Sequence, residues 1–154
     1  MKSKNLINEQ NFKLKLNKAH YNDIGLTKEE ALNLKTKRTK LIPEIKDHYK
    51  VVGFTNKGVE VEFIRKKHFK PEALYKIEVS ISVFYGIHHQ SPEVSLSKLE
   101  AELEARKNQL LAPPAHHASL LISNITSVNT NSLPIITPPI MKSENKQDKD
   151  STYH

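Results

Sequence analysis

Between Tyr75 and Tyr85 two kinds of residue alternate. Tyr75, Ile77, Val79, Ile81, Val83 and Tyr85 are interleaved with Lys76, Glu78, Ser80 and Ser82. A period of two places these sets on opposite faces of a strand, one dry and one wet. A strand that is wet on one side belongs in an antiparallel sheet, because parallel sheets are covered on both faces. The alternation recurs twice more: Phe12, Leu14 and Leu16 stand against Lys13, Lys15 and Asn17, and Val59, Val61 and Phe63 against Glu60 and Glu62. The latter run is entered through the turn signal Asn56-Lys57-Gly58. Ile45, Tyr49 and Val51 mark a further strand, which makes four.

After the fourth strand the period changes. Ser91-Pro92-Glu93 reads as a helix start, with a cap, a first-turn proline and an acid at the positive end of the helix dipole. Leu96, Leu99, Leu103 and Leu110 then recur at spacings of 3, 4 and 7 and form one apolar stripe, with Glu100, Glu102 and Glu104 outside it. Pro113-Pro114 is expected to interrupt this helix. A second helix is expected from about residue 115 to 128, with Leu121, Ile125 and Val128 on one side. Strands followed by helices give an α+β arrangement: a four-stranded antiparallel sheet followed by two C-terminal helices. Two long segments fit neither element, one between residues 24 and 42 and the other the proline-studded run Leu133 to Met141; long connections in small domains usually cover or bind something. The expected organisation is a flexible N-terminus over residues 1–10, one domain over 11–141 and a disordered polar tail over 142–154.

Composition narrows the chemistry. At 154 residues the chain is the size of one domain. It has no Cys, hence no disulfide framework, thiolate metal site or thiol nucleophile. No apolar run approaches the ~20 residues that span a bilayer, so a cytoplasmic protein without membrane insertion is expected. Residues 1–70 carry 17 Lys and Arg against 8 Asp and Glu, whereas residues 71–154 carry 7 against 9. A basic half can signal a polyanion partner, yet the lysines are scattered. Only 35–40 and Arg65-Lys66-Lys67 cluster, and neither cluster is interleaved with aromatic residues. They are read as solvated surface, and nucleic acid is not the expected partner. His88-His89 and His116-His117 are adjacent pairs whose members point in different directions, a poor metal site. The Glu60/Glu62 and Glu100/Glu102/Glu104 sets are read as wet faces rather than acid–base pairs. With four glycines there is no phosphate-cradling loop. Neither enzymatic activity nor a cofactor is expected.

In their order, these pieces resemble the SecB family of export chaperones. Phe12-Lys-Leu-Lys-Leu16 followed by Tyr21-Asn-Asp-Ile-Gly-Leu26 is similar to the family's first strand and turn, and Ile42-Pro-Glu-Ile-Lys46 to its second strand. Tyr75 to Ile87 resembles the fourth strand, Ile122-Ser-Asn-Ile-Thr126 the Ile-Ser-x-Leu-Thr helix, and Leu133 to Met141 the proline-rich ending. The resemblance covers about residues 12–141. The chain departs from the pattern at Met141-Lys142, where the family has Asn-Phe, at Lys76, and in being basic.

The resemblance implies an ATP-independent holdase that pairs into dimers and then a homotetramer, and that holds unfolded or precursor polypeptides in apolar grooves. Candidate groove residues are Leu32, Leu34, Leu41 and Ile42 from the first long connection, with Leu133, Ile135, Ile136, Ile140 and Met141 from the second. Leu96, Leu99, Leu103 and Leu110 are the expected oligomer interface. Asp23 and Glu78 match positions where the family carries acids that dock the SecA motor; nearby lysines make weak docking the expectation. Some relatives instead guard an antitoxin of a toxin–antitoxin module. A basic nucleic-acid-binding module and a phage-type assembly protein are the competing readings.

Overall fold

The computed structural model describes residues 5–23, 42–70, 75–88, 94–129 and 136–140. Four strands, β1 (Ile7–Asp23), β2 (Ile42–Phe54), β3 (Gly58–Lys70) and β4 (Tyr75–Ile87), form one antiparallel sheet in the order β1-β4-β3-β2. Three helices follow, α1 (Leu96–Ala105), α2 (Lys107–Leu110) and α3 (Ala112–Asn129). The expected sheet-then-helices order is the order found.

Register explains why the helices sit on one face. Val61 lies opposite Val83 and Phe63 opposite Ile81, so the apolar sets of β3 and β4 share a side, while Glu62 and Ser82 share the other. The shared apolar side takes up Leu99, Leu103, Leu110, Leu111, Ala115, Ala118 and Ile122 from the helices, all buried. The far face is a polar ladder: Ser80 Oγ donates to Glu62 at 2.7 Å, Ser82 Oγ to Glu60 at 2.9 Å, and Asn17 Nδ2 to Ser82 at 2.7 Å. Between β2 and β3, Thr55 N donates to the Gly58 carbonyl at 2.8 Å, and Thr55 Oγ1 accepts from Lys57 N at 3.1 Å, which closes the hairpin where the turn signal lies.

The first strand begins earlier than expected. Ile7 is wholly buried, although residues 1–10 read as a flexible terminus. The Glu102 carboxylate of α1 accepts from Leu6 N at 2.7 Å and Ile7 N at 2.8 Å, and Arg106 donates to the Ile7 carbonyl at 3.1 Å and to Glu9 at 2.7 Å. These partners are some 95 residues away in the chain, so no local pattern announces them. Just beyond, β1 bulges: Asn8 lies opposite Gly86 but the next pair is Phe12 with Tyr85. The Asn11 side chain folds into the room left at Gly86, where a Cβ would lie 2.6 Å from its Nδ2. Only glycine allows that approach.

The helices also depart from expectation, for identifiable reasons. Ser95, not Ser91, caps α1, its hydroxyl accepting from Lys98 N; Ser91-Pro92-Glu93 lies outside the described residues. The helix is broken twice, at Arg106 (φ −116°, ψ 24°), which was not expected, and at Leu111 (φ −99°, ψ 0°), directly before the prolines, where an interruption was. Pro113 and Pro114 sit in the first turn of α3, where a missing N–H costs nothing. On α3, Ala115, Ala118 and Ile122 are buried in the core, Leu121 and Ile125 are half-buried and pack against it as expected, and Val128 is exposed. Small side chains face the sheet because they let the helix approach closely.

Tyr85 joins the layers by donating its hydroxyl to the Leu110 carbonyl. Burial pushes that hydroxyl up from 10.0 to about 12. Between those values the unfolded chain releases a proton that the native protein retains, so this contribution is complete below the lower value and is lost as pH climbs to the upper one. Tyr21 and Tyr75 are raised in the same direction by burial. Tyr85→Phe should therefore lessen, without abolishing, the alkaline loss of stability in urea unfolding followed from neutral pH to about pH 11. It should cost about 1 kcal/mol at neutral pH through the lost hydrogen bond.

Candidate functional site

Val59, Val61 and Phe63 point to the helix side, and the same phase continues through Arg65 and Lys67. Both charged residues are buried, Arg65 with no exposed surface. Asp47 occupies the matching position on β2, directly opposite Arg65. The two form a fork: Arg65 Nε donates to Asp47 Oδ1 and Nη2 to Oδ2, both at 2.8 Å. A guanidinium has five N–H groups. The other three all reach one short segment outside helix and sheet, residues 136–140. Nη1 donates to Thr137 Oγ1 at 3.1 Å and to the Pro138 carbonyl, and Nη2 donates to the Ile140 carbonyl at 2.8 Å. From the other side Ser119 of α3 donates to the Thr137 carbonyl at 2.6 Å.

This strap is gripped through its main chain. Three backbone carbonyls and one hydroxyl take its hydrogen bonds, and Thr137 is its one buried side chain. Ile136 and Ile140 project outward, 76% and 60% exposed. Pro138 and Pro139 bring no N–H, so their stretch of backbone offers acceptors only. A buried arginine suits such a partner, because its planar fork satisfies several carbonyls in a fixed geometry and carries charge into each bond. Beyond Arg65 on the same face, Lys67 Nζ lies 4.2 Å from the centre of the Phe69 ring, and burial pulls the lysine below its ordinary range. Phe69 meets Tyr75 edge-on at 5.2 Å, and Tyr75 stacks on Tyr21 at 5.6 Å. The Tyr75 hydroxyl is buried without a hydrogen-bond partner among the described residues.

Of the groove residues expected from sequence, Leu32, Leu34, Leu41, Leu133, Ile135 and Met141 lie outside the described residues. Ile136 and Ile140 are on the strap. Ile42 is not beside them: five positions from Asp47 with no register shift between, it faces the helix-free side of the sheet, so it and the strap cannot line one groove. The expected oligomer interface is divided as well. Leu99, Leu103 and Leu110 are spent on the core of the single chain, and only Leu96 is exposed. Asp23 and Glu78 do not form one docking patch either. Asp23 lies opposite Tyr75 on the helix side, whereas Glu78 lies opposite Lys66 on the other. Glu78 is moreover engaged by Lys18 at 3.0 Å and Lys66 at 3.8 Å, and the hydrogen bond from Lys18 holds its carboxyl below the usual range. Arg65, Lys67, Asp47 and Ser119 were missed. The available signal was phase, since Arg65 and Asp47 fall on the core parity of their strands.

Among the described residues no three His, Asp or Glu side chains converge as metal ligands, and no helix is long and apolar enough to cross a membrane. No protein-family model matches the chain, and no curated protein matches its sequence. Among solved structures it is similar to a SecB-like chaperone of Mycobacterium tuberculosis in complex with a ChAD peptide from the HigA1 antitoxin. The TM-score is 0.60 at 9% identity, over 84% of this chain and 90% of that one. A second similar structure is a Streptococcus agalactiae protein of unknown function, at 14% identity and TM-score 0.43, over 82% of this chain and 93% of that one. The fold is SecB-like.

Proposed function

We propose that this chain is an ATP-independent chaperone that holds unfolded polypeptide and performs no chemistry of its own. The observation that carries the reading is the strap: on a SecB-like sheet-and-helix frame, the helix-side face already holds an irregular segment by its carbonyls and ignores most of its side chains. That is the recognition a protein with many clients needs, with main-chain contacts giving affinity and apolar burial adding to it at ~25 cal/mol per Å². The M. tuberculosis neighbour binds an antitoxin peptide, which supports a segment of an antitoxin as one client. Export precursors are the other. Docking of the SecA motor through Glu78 should be weak, because two lysines already engage its carboxylate.

The assembled form is read as a homotetramer. Phe12 and Leu16 face the helix side along the edge strand β1 yet are 40% and 46% exposed, and Leu96 and Leu120 are exposed on the helices. Exposed apolar surface of this kind suits a second copy. The nucleic-acid reading loses support at the 65–67 cluster, since Arg65 and Lys67 are buried and Lys18, Lys50 and Lys66 are paired with Glu78 and Glu62; the 35–40 cluster lies outside the described residues.

Suppression of aggregation of a denatured test protein, measured at low and at high salt, checks the function; light scattering at micromolar concentration checks the assembly. Stoichiometric protein should suppress aggregation about equally at both salts, as a tetramer. Absence of suppression would remove the holdase function. Binding that falls steeply with salt would point instead to a polyanion partner.

A further inference from the structure

We propose that the Arg65–Asp47 fork with Ser119 is a main-chain-reading site for client polypeptide, and that residues 136–140 occupy it in cis as an internal stand-in that a client must displace. The proposal rests on the chaperone reading above and adds to it where a client is gripped and what guards the place. All five guanidinium donors are satisfied, two by Asp47 and three by the strap. Arg65 has no exposed surface, so withdrawal of the strap would strand three charged donors in a buried position, which is strongly unfavourable. The strap can therefore leave readily only when something else supplies carbonyl oxygens in the same line. An extended stretch of any polypeptide does.

The strap has the features of an occupant that is held firmly but not embedded. Apart from Thr137 its side chains remain outside, so little apolar burial opposes its release. With two prolines it presents the site with acceptors and few donors, which is what the Arg65 guanidinium requires. Exchange then trades three acceptors for three acceptors, and the client's apolar burial decides the direction. Ser119 adds a second reading point, since its hydroxyl accepts or donates according to what the incoming backbone presents.

The chain has no native cysteine, so one engineered bridge can be introduced cleanly. In the full-length Ser119→Cys, Thr137→Cys double variant, oxidation would tie the strap to α3, with bridge formation followed by mass. The probe is reduced, carboxymethylated α-lactalbumin, a permanently unfolded chain, with binding read by fluorescence anisotropy. The oxidised protein should bind the probe about tenfold or more weakly than the same protein reduced. Equal affinity of the two forms would overturn the proposal and leave the chaperone reading standing. No binding by the wild-type protein would overturn both. A second measurement does not depend on the bridge. A spin label at Ile140→Cys, an exposed position that lends only its carbonyl, should turn from ordered to mobile when the probe saturates the protein. A spectrum unchanged while the probe is bound would show that the strap stays in place, and the proposal would fall.

Discussion

Asp47→Ala should destabilise the protein by about 3–5 kcal/mol, the largest loss expected from any single polar substitution among the described residues. The reason is what remains. Removing the carboxylate leaves a guanidinium with no exposed surface and two donors, Nε and one on Nη2, without their 2.8 Å partners. The complementary experiment replaces both members, Arg65→Met with Asp47→Leu. It should restore most of the lost stability, because two apolar side chains of comparable size need no partners in a dry site. Its strap should nevertheless be lost, since three of the strap's hydrogen bonds end on Arg65. Urea unfolding gives the first comparison, and limited proteolysis near residues 136–140 the second. If Asp47→Ala lay within about 1 kcal/mol of wild type, the fork would be too wet to act as described.

Leu99→Asp or Leu103→Asp should abolish cooperative folding rather than merely separate subunits. Both side chains are buried within one chain, in the same core cluster as Val61, Phe63 and Ile81. A carboxylate in either place is an unpaired charge in an apolar interior, on top of the ~2–5 kcal/mol that a leucine deletion alone costs. Leu96→Asp is the discriminating control. That residue is 45% exposed, so its substitution should leave the melting temperature of the single chain nearly unchanged and affect association alone. Circular dichroism melts paired with light scattering separate the outcomes. A Leu99→Asp protein that melted like wild type but had lost its oligomer would return Leu99 to the interface.

Much of the sheet was legible because alternation is a local property. Tyr75 to Tyr85 and Val59 to Phe63 carry their faces in their own spacing, and the register pairs those faces as the pattern demands. The strands' full lengths were not legible, because extension past the clear alternation depends on distant partners such as Glu102 for Ile7. Arg65 was misread for a more instructive reason. Beside Lys66 and Lys67 it looks like solvated charge, and only its parity with Phe63 sets it apart, a signal that charge ordinarily outweighs. On α3 the expected Leu121 and Ile125 do pack against the core, but a pattern of large residues passes over the small Ala115 and Ala118, which are wholly buried, and Val128 is exposed. Face assignment undid the docking pair: Asp23 and Glu78 are each placed by pairing across β1 and β4, and the register shift between Leu16 and Lys18 changes the parity of everything after it.

The strand order β1-β4-β3-β2 also governs the order of events during synthesis. β2, β3 and β4 follow one another as neighbours and can zip as they emerge from the ribosome. β1, made first, has its sheet neighbour made last, and its opening residues are tied down by a helix that is made later still. Closing so long a loop is the step that topology makes slow. Until it closes, Phe12, Leu14 and Leu16 travel as an unpaired apolar strand, and the nascent chain has for that interval the same need for shelter as the clients it is proposed to hold.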